Sequence, residues 1–136
     1  MILLDTHVLI WFLQADPSLG REARHRIEQE QRNEGIQISA ITPWEIAMLI
    51  AKRRLSLGRS TSVWVSKALG TQGVGLAPLD PAIAIEAGEL VGLHGDPADR
   101  IIIATARHHD WPLVTSDRTI LTYAAAGHLR AIDARI

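Results

Sequence analysis

Five carboxylates in this chain share one kind of address. Asp5 ends the apolar run Ile2-Leu3-Leu4, and Glu45 closes Thr42-Pro43-Trp44-Glu45. Asp96 and Asp99 bracket Pro97-Ala98 ahead of Ile101-Ile102-Ile103, and Asp117 follows Leu113-Val114-Thr115-Ser116. Each stands at the start of a helical pattern, just beyond a strand or a short loop. In a parallel sheet the carboxyl ends of all strands lie on one edge, which is where open α/β sheets bind ligands. Residues far apart in sequence can therefore meet there. Carboxylates packed together repel, raise one another's pKa and cost stability unless a cation offsets the charge. An oxygen-only donor set suits Mg²⁺ or Mn²⁺. Such an ion lowers the pKa of a water and stabilises charge on a phosphoryl oxygen, so the chemistry implied is metal-assisted phosphodiester hydrolysis.

Every one of these residues also fits a plain structural role. Asp5 or Thr6 suits the cap of the helix that follows the first strand. Thr42 at a cap, Pro43 at the first helical position and Glu45 three after the cap make a capping box. Asp96 suits a cap with Asp99 at the matching box position, and Ser116-Asp117 suits another, where the helix dipole favours negative charge. Asp16 and Asp80, each followed by Pro, match ordinary turns and caps only. Capping and ligation are compatible, since Thr6 can take the cap and leave Asp5 free.

The elements that must position these side chains follow from periodicity. Ile2-Leu3-Leu4 has no alternation, as expected for a strand buried on both faces, and 7–13 continues as a helix. Asp16-Pro17 and Gly20 mark a turn before a charged helix over 21–34. Ile36–Ser39 alternates as a strand, and a helix from Thr42 runs to Ala51 before Lys52-Arg53-Arg54. A helix from Thr61 or Ser62 to Leu69, a strand over 75–79 and a helix opened by Asp80-Pro81 and stopping near Gly92 come next. The most apolar helix follows Asp96, then a strand over 111–115, a helix ending at Gly127 and an edge strand over 129–132. Strands separated by helices imply α/β architecture: a central, mostly parallel sheet of four to five strands with helices on both faces.

Composition narrows the setting. The 136 residues suffice for one domain, 1–136, and 47% hydrophobic content fits a globular core. The chain has no cysteine. That excludes disulfides, thiolate zinc sites and a cysteine nucleophile, and fits a reducing cytoplasm. No apolar run approaches a membrane span, and the N-terminus lacks a signal-type pattern. A net charge of −1 gives no overall steering toward nucleic acid, so nucleic-acid binding would rest on a local patch or on metal ions.

Four segments then carry a resemblance. LLDTHVLIWFL, SAITPWEIAMLIAKRRLSL, GDPADRIIIATA and PLVTSD stand in the order and spacing of PIN-domain proteins, and more narrowly resemble VapC-type toxins of toxin–antitoxin pairs. The resemblance covers nearly the whole chain and implies a PIN-like three-layer sandwich with the first strand in its middle. It implies a Mg²⁺- or Mn²⁺-dependent endoribonuclease. Asp5, Glu45, Asp99 and Asp117 match the family's acidic site, Asp5 and Asp99 being the most direct metal ligands. Glu45 and Asp117 would hold a water on the metal or a second ion. It further implies an RNA substrate, a cognate antitoxin, a homodimer and a cytoplasmic setting. Thr6, Thr115 and Ser116 would place hydroxyls near the metal or the scissile phosphate. Asp96 is an additional carboxylate, supporting or simply a cap, and Arg100 could orient a carboxylate or a phosphate.

Other features fit simpler roles. His108-His109-Asp110 closes a helix, where cations complement the dipole, and lacks the partners of a histidine metal site. His7 and His94 lie near the proposed site in sequence, and His94 could touch phosphate. Lys52-Arg53-Arg54 suits either RNA phosphates or a helix end. Trp11, Phe12, Trp44 and Trp64 suit a core or a partner groove. Two other functions compete. A Mg²⁺-binding receiver would need an acidic pair after the first strand, an Asp ending the third and a late Lys, whereas the last Lys here is Lys67. A catalytically idle PIN module would bind partners only, against which the complete acidic set speaks.

Overall fold

In the computed structural model, which describes residues 1–136, five strands form one sheet: β1 (Ile2–Leu4), β2 (Ile36–Ser39), β3 (Val74–Ala77), β4 (Leu113–Thr115) and β5 (Ala131–Asp133). Their order is β3-β2-β1-β4-β5, and every pairing is parallel, so the sheet expected to be mostly parallel is wholly so. Seven helices connect them: α1 (Thr6–Leu13), α2 (Arg21–Arg32), α3 (Thr42–Ala51), α4 (Thr61–Leu69), α5 (Pro81–Glu89), α6 (Pro97–His109) and α7 (Arg118–Ala125).

The unbroken apolar run of β1 explains its central place. Ile2, Leu3 and Leu4 are all fully buried, and alternate residues point to opposite faces. Ile2 and Leu4 join a core with Val8, Leu9 and Ile10 of α1, Ile27 of α2, Ile46 of α3 and Trp64 of α4. Leu3 joins the other core, with Ile102 and Ile103 of α6 and Ile120 and Tyr123 of α7. Ile83 and Ala87 of α5 pack on Ala104 of α6. Three layers result: α1–α4, sheet, α5–α7.

Element ends moved where local chemistry intervened. β3 stops before Pro78, which has no N–H for a ladder. α5 stops at Glu89 instead of running toward Gly92, because Leu90 turns extended with φ −57° and ψ 130°. β5 starts at Ala131, since Leu129 packs against the α6–α7 core instead of entering the sheet. Gly20, before α2, accepts no larger residue: a Cβ there would lie 2.0 Å from the carbonyl oxygen of Ile136. No helix is long and apolar enough to cross a membrane.

Leu3 is the fully buried β1 side chain on the α6–α7 side of the sheet. Leu3→Ala should cost about 3 kcal/mol through lost burial and a residual cavity. Urea unfolding should show a lower midpoint at unchanged slope.

Candidate metal centre

The site forms where β1, β4 and the starts of α1, α3, α6 and α7 meet. α1 begins directly after β1, so its cap lies at the sheet edge. That cap is Asp5: its Oδ1 accepts the Thr6 amide at 2.8 Å, and its Oδ2 accepts the Thr115 hydroxyl at 2.6 Å. Thr6 therefore does not take the cap. It is already helical, and its hydroxyl lies 3.0 Å from that of Thr42. The Thr115 hydroxyl also accepts the Asp117 amide at 3.1 Å, tying the ends of β1 and β4 to the turn into α7.

The capping box of Thr42 and Glu45 does not form. Ile41 precedes α3 in helical conformation, no side chain caps that helix, and Thr42 is buried against Thr6. Glu45 is only 8% exposed, and its Oε1 is buried with no hydrogen-bond partner. An unsatisfied buried acceptor costs about 1–3 kcal/mol, more when charged.

Asp96 does cap α6, its Oδ1 accepting the Asp99 amide at 2.9 Å. Asp117, not Ser116, caps α7, its Oδ1 accepting the amides of Thr119 at 2.8 Å and Ile120 at 3.3 Å. Ser116, expected to place a hydroxyl near the metal or phosphate, lies in the turn between β4 and α7 and makes no side-chain hydrogen bond. Oxygens of Glu45, Asp96 and Asp99 lie within 4.8 Å of one another. Asp5 and Asp117 flank them through Thr115. None of the five carboxylates has a Lys, Arg or His ion-pair partner.

Their titration reflects this crowding. Burial first, then the charges of Asp96, Asp5, Asp117 and Glu45, push the Asp99 carboxyl up to about 7. Burial raises Glu45, helped by Asp5 and Asp96 and partly offset by the nearby Thr6 hydroxyl and His7. Burial also raises Asp5, against the lowering effect of its bonds from Thr115 and Thr6. The donor set is hard, anionic and partly unpartnered, which fits a divalent cation such as Mg²⁺ or Mn²⁺.

Several expected contacts lie elsewhere. Arg100 meets neither a carboxylate nor a position for phosphate: its guanidinium donates to the carbonyls of Ala87, Gly88, Leu90 and Leu93. The helix direction accounts for this, since neighbouring side chains on α6 diverge by about 100°. His109 stacks on Trp111 with ring centroids 4.1 Å apart, and Asp110 ends α6 in left-handed conformation while pairing with Arg130. His7, His94 and Lys52-Arg53-Arg54 are exposed. Trp64 is buried, Trp11 and Phe12 are half-buried, and Trp44 is 51% exposed beside Glu45. β3 ends at Ala77, without the carboxylate a phosphoacceptor would require. The contact of Thr42 with Thr6 escaped the sequence, because Thr before Pro also reads as a helix cap.

A parallel sheet with carboxylates gathered at its carboxyl edge defines an α/β protein whose edge offers a hard, anionic donor set. The particular family follows from comparison. The PIN-domain family model matches residues 2–126, and the chain belongs to that family. It is 33% identical over 123 residues to Ribonuclease VapC22 of Mycobacterium tuberculosis, covering 90% of this chain and 91% of that protein. Its fold is similar to that of VapBC2 from Rickettsia felis bound to a promoter DNA fragment (TM-score 0.70, 18% identity, 97% of this chain and 98% of that one). It is also similar to DNA-bound VapBC from Salmonella typhimurium (TM-score 0.67, 22% identity, 98% of each chain).

In metal-free protein the raised Asp99 carboxyl makes folding depend on pH. Its folded value of about 7 lies above the ordinary 3.8, so the folded state holds a proton that the unfolded chain releases. This contribution to stability is complete below the ordinary value and is lost as pH rises to about 7. Asp99→Asn should therefore raise the thermal midpoint of metal-free protein at pH 8 and flatten the fall between pH 5 and 8. A parallel pair of melting curves would overturn this.

Proposed function

We propose that this chain is a divalent-cation-dependent endoribonuclease and the toxin of a toxin–antitoxin pair, formed by a PIN domain over 1–136. The observation that carries the reading is the convergence of Glu45, Asp96 and Asp99 oxygens within 4.8 Å, with Glu45 Oε1 buried and unpartnered. Similarity to Ribonuclease VapC22 supports RNA as substrate. Similarity to VapBC complexes supports a protein antitoxin as partner. Mg²⁺ or Mn²⁺ is the ion of choice, a homodimer the proposed assembly and the cytoplasm the proposed compartment.

A bound divalent cation supplies an activated water and neutralises charge building on the phosphoryl oxygens. The protein supplies the rest. Asp99 and Glu45 offer the oxygens best placed to hold the ion, with Asp5 beside them. The hydroxyl of Thr115 and the amide of Thr6 fix the direction of the Asp5 carboxylate. Asp96 and Asp117 each spend Oδ1 on a helix cap and leave the other oxygen without a hydrogen bond. Asp117 thereby completes the negative rim. Arg118, exposed at the first position of α7, is the cation nearest to Asp117 in sequence for a flanking phosphate.

Purified protein should cleave RNA with Mg²⁺ or Mn²⁺ and stop when the ion is chelated. Asp5→Asn and Asp99→Asn should each lower cleavage at least about 100-fold, more than the loss typical of groups that merely support a ligand. Circular dichroism should show both variants folded. Equal cleavage by all three proteins would sink the reading, and unfolding of Asp5→Asn would return Asp5 to a structural role.

A further inference from the structure

Between α5 and α6, residues 90–95 form no backbone–backbone hydrogen bond. α5 also ends without the backbone cap that closes the other helices. The segment is instead held by side chains. Arg100 donates from Nη2 to the Leu90 carbonyl at 2.9 Å and from Nη1 to the Leu93 carbonyl at 2.8 Å. The same guanidinium takes the last carbonyls of α5, Ala87 from Nε at 2.9 Å and Gly88 from Nη2 at 3.2 Å. These carbonyls sit at the negative end of the helix dipole, where a cation is favoured. The Tyr123 hydroxyl donates to the Val91 carbonyl at 2.7 Å, and Leu93 is buried in the core below.

This strap ends at the acidic cluster. A Cβ on Gly95 would lie 3.4 Å from the Asp99 Cβ, so the strap backbone lies against Asp99. The next residue is Asp96, whose carboxylate is grouped with those of Glu45 and Asp99. We propose that Arg100 is a positioning residue of the metal centre: by binding four carbonyls it holds the strap against Asp99 and fixes Asp96 relative to it. The inference rests on the cation-binding reading of the cluster. Only guanidinium has the planar fork to serve four acceptors at once, so Lys at this position keeps the charge but loses the arrangement.

The test compares wild type, Arg100→Lys and Tyr123→Phe, which releases the strap from its other side. Mn²⁺ affinity is measured by calorimetry on metal-free protein, well below each variant's thermal midpoint. RNA cleavage is followed as a function of Mn²⁺. Arg100→Lys should weaken Mn²⁺ binding about tenfold, the loss typical of groups that orient a ligand. Cleavage at saturating Mn²⁺ should stay near that of wild type. Tyr123→Phe should shift affinity in the same direction by less, and decides the matter if Arg100→Lys does not fold. A lower thermal midpoint with unchanged Mn²⁺ affinity in both variants would overturn the proposal, leaving Arg100 a staple of the fold. Absence of Mn²⁺ binding by wild type would overturn it too. If wild type binds Mn²⁺ without cutting RNA, the ribonuclease reading fails while calorimetry still decides the role of Arg100.

Discussion

Mutual repulsion among carboxylates at one sheet edge is the constraint on which this structure turns. A parallel sheet sends every strand's carboxyl end the same way, so α1, α3, α6 and α7 all begin at the edge where β1, β2 and β4 end or the approach loop arrives. Their N-termini present free amides and the positive ends of their dipoles. Those amides partly offset the negative charge: Asp5, Asp96 and Asp117 each accept at least one. Glu45 accepts none on Oε1 and lies buried. The offset is therefore incomplete: burial first, and neighbouring carboxylate charge after it, raise the carboxyls of Asp5, Glu45 and Asp99. The edge relieves its charge either by taking up protons, as the raised Asp99 carboxyl does, or by accepting a cation.

Capping and clustering are consequently one arrangement. Asp96 and Asp117 give a single oxygen to their helices, so the amides set each carboxylate's direction while its second oxygen stays open. Asp5 uses both oxygens, yet each carboxylate oxygen has a second lone-pair direction. A hydrogen-bonded Asp5 is thus a pre-aimed anion. Thr115 does the aiming from β4, donating to Asp5 and accepting from Asp117. One hydroxyl at the end of a neighbouring strand thus ties the Asp5 carboxylate to the backbone amide of Asp117, two residues that are far apart in sequence.

The sequence displayed most of this frame because the relevant signals are local. The apolar run of Ile2-Leu3-Leu4, the alternation of strands with helical patterns and the carboxylates at helix starts can all be read without tertiary information. Resemblance carried these to the PIN family, and the family match and similar folds agree with it. The hydroxyl pair of Thr6 and Thr42 was hidden, because it depends on how closely α1 and α3 approach after folding. A Thr-Pro-x-Glu pattern forms a capping box only when the Thr itself lies outside the helix, and here Thr42 is already helical behind Ile41. The strap contacts of Arg100 were hidden for a related reason: four backbone carbonyls leave no trace in side-chain pattern. Strand-end topology brings the carboxylates to one edge in principle, but which of them approach most closely, Glu45 with Asp96 and Asp99, is a property of the assembled edge.

Asp99 and Arg100 show how a net negative site survives next to a cation. Adjacent residues of opposite charge would neutralise one another if both faced the same way. On α6 they face apart, and the guanidinium is satisfied by neutral carbonyl dipoles instead of a carboxylate. Had Arg100 paired with Asp99, an internal ion pair would lower the Asp99 carboxyl and compete directly with a bound metal. Because four carbonyls of α5 and the strap take Nε, Nη1 and Nη2, Arg100 can be kept close to the cluster without discharging it. The same contacts close the end of α5 and set the strap against Asp99. Holding backbone and sparing carboxylates are thus two results of one orientation of the guanidinium.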